Sequence, residues 1–238
     1  MTFRESGKMK AVTFSFDDGV LQDIRLIGLL NKYSLKATFN LNSELFNGQG
    51  ILWLEEPSRH AVCRYTIAPK DVKEIYAGHE VAAHTLTHKK LTEVEDESEI
   101  IRQVEQDRLN LSELVGYEVV GFAYPGGGIN NDARCAEIIR KHTGVRYARG
   151  YRRCESFDLP DDLYQFSPNA SADHLDKLEV LVDQFLALKT DKPQLLFVVG
   201  HAYGLDYENE RWAKLETIFQ KLSGHDDIFY GTNKEVLL

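Results

Sequence analysis

Short apolar segments rich in β-branched and aromatic residues alternate along this chain with longer stretches of helical period, and that alternation restricts the fold more than any other feature. The strand segments are 11–16, 36–41, 80–83, 119–124, 145–148, 195–199 and 228–230, and helical segments lie at 21–33, 71–77, 98–114, 132–142, 172–188 and 211–222. In the third helical segment Ile100, Ile101, Val104, Leu111 and Leu114 fall mostly on one face, with acidic residues crowding its start, where the helix dipole favours them. Strands separated by helices imply βα units and parallel strands buried on both faces. Seven such strands predict an α/β fold, either a (β/α) barrel or a doubly wound sheet. No repeat and no Pro/Gly/Ser-rich linker divides the 238 residues, so one catalytic domain over 1–238 is the economical expectation. Residues 47–69 break the alternation, being too long for a plain βα connection. Trp53, Tyr65 and their apolar neighbours argue against disorder there, and in a barrel such an insertion lies over one rim, where ligands bind.

Charge excludes several partners. Acidic residues outnumber basic ones 37 to 28, giving a formal charge of −9 and a pI near 5.4, so nucleic-acid phosphates and anionic lipid are both disfavoured. The longest apolar runs, such as 195–199, stop far short of the ~20 residues of a membrane helix. The N-terminus MTFRESGKMKAVTFSF shows no export signal, which points to the cytoplasm unless a leader was removed. Cys63, Cys135 and Cys154 form an odd set without C-x-x-C spacing, which suits a reducing compartment and three buried thiols.

Four clusters carry chemistry. TFSFDDG (13–19) runs an apolar strand straight into two carboxylates, and ligands gather at the carboxyl ends of parallel strands. HTLTH (84–88) follows another short strand and places two imidazoles four residues apart, on one face of a helical turn, with Cβ atoms ~5–6 Å apart. One carboxylate and two imidazoles, Asp18, His84 and His88, form the donor set of a catalytic metal with open positions. Asp17 then points elsewhere, as neighbouring side chains on an extended segment do, and is the natural base beside a metal-bound water. His79 is a candidate for the shell behind the ligands. In GFAYPGGG (121–128) a flexible turn after a strand exposes amides that suit an oxyanion, and LLFVVGH (195–201) delivers His201 to the same rim.

In this order the clusters resemble the polysaccharide deacetylases, the NodB-homology or family-4 carbohydrate esterases, over about residue 10 to the C-terminus. The resemblance implies a distorted (β/α) barrel of about seven parallel strands. It implies Asp17 as catalytic base and Asp18, His84 and His88 as ligands of a divalent ion, zinc or else cobalt, manganese or nickel. It further implies His201 as general acid and the Gly126 amide, after Pro125, as oxyanion donor. Departures are visible. Ala123 stands where the family's third motif begins with arginine, Gly126 stands where tyrosine is common, and the fourth motif is not recognisable between Arg146 and Asp173. Arg149 is the candidate replacement for the arginine and Asp158 the candidate to orient His201. Tyr124, Pro125 and Arg149, with Trp53 and Tyr203 as stacking platforms, are candidate substrate contacts. The implied activity is metal-dependent hydrolysis of a non-peptide carbon–nitrogen bond, releasing an acyl group from an acetylated amino sugar or polysaccharide. The alternatives are a cytoplasmic amidohydrolase acting on a small nitrogenous metabolite or sugar precursor, and a carbohydrate-binding relative without catalysis.

Overall fold

The protein is described by a computed structural model covering residues 1–53 and 61–238, with only the backbone of Leu52 and Trp53. Its strands are β1 (Lys10–Asp17), β2 (Ala37–Leu41), β3 (Ile51–Trp53), β4 (Ala61–Cys63), β5 (Glu80–Ala83), β6 (Gly121–Ala123), β7 (Tyr147–Arg149), β8 (Ala170–Ser171), β9 (Gln194–Gly200) and β10 (Ile228–Tyr230). The helices are α1 (Phe3–Ser6), α2 (Gln22–Lys32), α3 (Val72–Ile75), α4 (Glu97–Ile101), α5 (Asp107–Val115), α6 (Ala133–His142), α7 (Leu175–Ala187), α8 (Arg211–Leu222) and α9 (Asn233–Leu237).

Strand β1 is buried along its whole length, and its two faces explain the architecture. Val12, Phe14 and Phe16 join the large apolar cluster that α2, α7 and α8 cover with Leu26, Leu178 and Leu215. Ala11 belongs instead to a second cluster with Leu195, Phe197 and Phe229, on the other face of the sheet. The side-chain period of two puts Thr13, Ser15 and Asp17 in line with Ala11, so this inner row is polar towards its carboxyl end. The same alternation places Thr38 and Asn40 of β2 and Glu80 of β5 among these buried polar groups, where the Thr38 hydroxyl donates to Glu80 at 2.8 Å and Asn40 to Ser15 at 2.8 Å.

Seven parallel strands run in the order β7-β6-β5-β2-β1-β9-β8 and curl into a half-barrel. Strand β10 pairs with β1 over Lys10–Val12, leaving Phe14–Asp17 to β2 on that edge. Between β7 and β8 the chain is tied across by Arg149 pairing with Phe166, with amide bonds from Ala148 to Leu163 and from Gly150 to Phe166. The far end is plugged by α9, whose first amides bond Thr38 Oγ1 and Glu80 Oε2 at 2.9 Å each.

All seven strand segments read from the sequence form strands of this sheet, although β10 lies off its main path. The 98–114 segment is α4 and α5 joined through a π-helical turn, Arg102–Gln106. The 71–77 segment shrinks to a 3-10 turn and the four-residue α3. Residues 47–69 contain an antiparallel hairpin, β3 with β4. That hairpin is pinned to the turn after β1 by the Val20–Thr66 bridge and by amide bonds from Leu21 to Tyr65 and from Ile67 to Gly19. The expectation of three buried thiols holds for Cys135 alone: Cys63 is exposed on the hairpin edge and Cys154 half-buried, all three free. Among the described residues no helix is long and apolar enough to cross a membrane.

Candidate active site

At the carboxyl end of β1 the backbone turns abruptly. Asp17 ends the strand, and Asp18 and Gly19 then take left-handed φ values of 77° and 62°. Aspartate tolerates that region better than most residues, and the reversal separates the two carboxylates. Both are buried, at 3% and 4% exposure, yet they face different partners. Asp17 Oδ1 accepts from Asn40 Nδ2 at 2.9 Å and from Arg149 Nη2, while Oδ2 lies 3.9 Å from His201 Nε2. Asp18 Oδ2 accepts from Arg64 Nη2 at 2.5 Å. Its Oδ1 has no hydrogen-bond partner and lies 3.5 Å from His88 Nε2 and 3.9 Å from His84 Nε2.

The two imidazoles meet on a non-helical turn after β5, which corrects the helical-turn expectation. Thr85 and His88 both have positive φ, 64° and 58°, and this folds His88 back over His84 with ring centroids 5.0 Å apart. Buried acceptors and donors stabilise that backbone. Asn42 donates to the carbonyls of His84 and Thr85, and Asp107 on α5 accepts from the amides of Ser43 and His84. Burial raises the Asp107 carboxyl to about 7. His84 Nδ1 lies 2.8 Å from the Ala123 carbonyl, which can only accept, so Nδ1 carries the proton and Nε2 offers its lone pair. Burial also drives this imidazole down to about 4, keeping it neutral. Burial pushes the Asp18 carboxyl upward, but His84, His201, Arg64 and His88 together outweigh that and hold it below its usual range.

His201 follows β9, and its Nδ1 lies 3.2 Å from Asp173 Oδ2 while its amide donates to Asp173 Oδ1 at 3.1 Å. Burial opposes the charged imidazolium, but the Asp173 hydrogen bond and the charges of Asp17, Asp173 and Asp18 prevail and raise it to about 9. Tyr151 also donates to Asp173 Oδ2, at 3.1 Å. These groups open on a cavity of about 260 Å³, whose lining includes Asp17, Asp18, His84, His88 and His201. Gly126, Gly127, Tyr124, Tyr151, Tyr203 and Arg64 complete it.

The sequence-predicted residues therefore largely converge, with specific exceptions. Arg149 is fully buried beneath the cavity floor, donating to Ser15 and Asp17, so it meets Asp17 and does not line the cavity. Pro125 is buried beside the cavity without lining it, and the Tyr124 hydroxyl is spent on the Tyr164 carbonyl. The side chain of Trp53 lies outside the described residues. Asp158 does not orient His201: it bonds Gln194 and Lys192 at the opposite end of β9, and Asp173 makes the contact expected of it. His79 is no neighbour of Asp18, His84 and His88 either. It precedes β5, accepts from the Ala37 amide and stands against Asn31 and Phe39, and burial lowers it to about 4. Arg64, Asn40, Asp107, Tyr151 and Asp173 are not marked out by the sequence motifs. Only Asn40 carries a signal there, as the second polar residue of the alternating Thr38 and Asn40 on an apolar strand.

A polysaccharide deacetylase family profile matches residues 4–148, more than half of the chain. The chain belongs to the polysaccharide deacetylase family. Polysaccharide deacetylase Bc1974 from Bacillus cereus shares its fold at a TM-score of 0.56 and 16% identity, over 94% of this chain and 91% of that one. A mutant of BA3943, a CE4-family pseudoenzyme with restored activity, aligns at a TM-score of 0.59 and 19% identity, covering 98% of this chain and 69% of that one. PuuE allantoinase has the same fold at a TM-score of 0.65 with 11% identity, over 94% and 87% of the two chains. No curated protein matches in sequence. Polysaccharide deacetylases are generally metal-dependent, and this chain has residues that fit an ion: the ligand atoms of Asp18, His84 and His88 lie within 4.8 Å of one another. The unpartnered Oδ1 and the tautomer fixed by Ala123 leave one carboxylate oxygen and two imidazole nitrogens, donors that suit zinc or a similar divalent ion.

Proposed function

We propose that this polysaccharide deacetylase is a metal-dependent hydrolase that removes an acyl group, N-acetyl, from an amino sugar or its polymer. One observation carries the reading. Each of the adjacent carboxylates spends one oxygen on a guanidinium and turns the other into a shared cavity, Asp18 Oδ1 towards two imidazoles and Asp17 Oδ2 towards a third. A base, a metal-ligand set and an acid thus stand on one small volume, as amide hydrolysis requires.

A divalent ion held by Asp18, His84 and His88 would supply an acidified water and a Lewis acid. The rest falls to the chain. Asn40 and Arg149 fix the Asp17 carboxylate through Oδ1, so Oδ2 is the atom that receives the proton of the attacking water. The Gly126 amide, on a loop whose φ of 87° favours glycine, donates to the acyl oxygen as it gains charge. His201 is protonated at neutral pH and gives its Nε2 proton to the departing nitrogen, without which an amine does not leave. Tyr151 and Tyr203 flank His201, with ring centroids 6.1 and 5.2 Å away, and offer apolar walls to a sugar ring.

Free acetate released from a panel of N-acetylglucosamine oligomers tests the reading. Release is expected, and binding of those sugars with no release would defeat it. The acid assignment has its own signature. Replacing Asp173 by Asn removes the partner that holds His201 up, so the alkaline limb of kcat/KM, where His201 loses its proton, is expected to move down towards the ordinary histidine value of about 6.5. An unmoved limb would take the acid role from His201.

A further inference from the structure

Among the described residues, Arg64 is the one cation in the cavity lining supplied by the insertion, and its place there is built rather than incidental. It directly follows β4, between Cys63, whose carbonyl accepts from Gln22 Nε2 at 2.7 Å, and Tyr65, whose carbonyl accepts from the Leu21 amide at 2.8 Å. Its own backbone exchanges two amide bonds with Gly50 across the hairpin, at 2.8 and 3.2 Å. The guanidinium lies 5.2 Å from the Tyr203 ring centroid, and its Nη2 donates to Asp18 Oδ2.

We propose that Arg64 is a resident counter-cation of the metal site, a positioning residue that reserves one oxygen of Asp18 and lowers the affinity of the site for its ion. The proposal rests on the metal-site reading above. Asp17 and Asp18 are neighbours, both buried, and each has its own guanidinium: Arg149 for the first, Arg64 for the second. A buried carboxylate without compensation is costly. Loss of the Arg64 charge therefore raises the free energy of the metal-free protein more than that of the metal-bound protein, in which the dication compensates Asp18. It also frees Oδ2 as a second donor and removes a positive charge from beside a cation. All three effects act in the same direction, so metal binding tightens when Arg64 is replaced. A residue that merely supported the hairpin would give the opposite result, since disorder around Asp18 weakens binding.

The measurement is the zinc dissociation constant of the full chain, by competition with a chromophoric chelator, for wild type, Arg64→Met and Arg64→Lys. Arg64→Met is expected to bind zinc about ten-fold more tightly, a magnitude typical of groups that partner metal ligands, though those usually strengthen binding. Arg64→Lys, which keeps the charge, is expected to stay near wild type. The metal-free Arg64→Met protein should also melt below metal-free wild type, with the gap narrowing on zinc addition. Zinc binding by Arg64→Met that is equal to or weaker than wild type overturns the proposal. Should the methionine variant not fold, Arg64→Gln, which is neutral but keeps a donor, takes its place with the same expected and overturning results. Absence of zinc binding by wild type overturns instead the metal-site reading on which the proposal stands.

Discussion

Replacement of Asp17 by Asn is expected to lower kcat for deacylation about 10²- to 10⁴-fold while leaving bound metal in place. The amide is nearly isosteric with the carboxylate and still offers an oxygen to Asn40 and Arg149, but it cannot take a proton from water. Asp17 is not among the three donors that converge near Asp18, so metal content has no reason to fall. The variant also pairs a fully buried guanidinium with a neutral group, and breaking a buried ion pair from one side costs about 3 kcal/mol or more. Activity must therefore be read per folded molecule, with urea denaturation supplying the folded fraction. Near-native turnover in Asp17→Asn would remove Asp17 from the role of base.

The second large effect is the loss of His84. His84→Ala deletes the Nε2 donor and leaves the Ala123 carbonyl without its partner, so bound metal and acetate release are expected to vanish together. The loss of turnover should match or exceed that of Asp17→Asn, because the acidified water and the Lewis acid go with the ion. His88→Ala should behave similarly, with less damage to stability because that ring is partly exposed. The contrast is the informative part. Metal retained with turnover lost marks Asp17, and both lost marks the histidines. Metal retained in His84→Ala would place the ion elsewhere.

Much of this is legible in the sequence because parallel α/β folds deliver their chemistry at the carboxyl ends of strands. β1, β5 and β9 are apolar segments ending in Asp17, Asp18, His84 and His201, and the structure brings those four side chains onto one cavity. What stays hidden is each residue's partner. Asp173 follows β8, a two-residue strand too short to show any period, and so its meeting with His201 cannot be read from the chain. Arg64 reaches Asp18 only because a hairpin folds back onto the turn after β1, a contact between residues 46 positions apart. The geometry of HTLTH departs from its spacing for a local reason. A four-residue spacing suits a helix, but here two positive φ values bring the rings together instead. Asp158 lies in the stretch of chain where a partner for His201 is expected, yet it sits where β9 begins, and the strand carries His201 to the other end. Arg149 shows the reverse: the inward alternation of β7 places it under Asp17, as its position at the strand end suggests.

An ion held by Asp18, His84 and His88 is expected to enable this chain to deacetylate an amino sugar. Acetate release from N-acetylglucosamine oligomers should be followed before chelation, after chelation, and on stepwise addition of zinc or cobalt to the chelated protein. Release is predicted to stop on chelation and to return in proportion to the metal bound. Acetate release that continues unchanged in the metal-free protein would contradict the account.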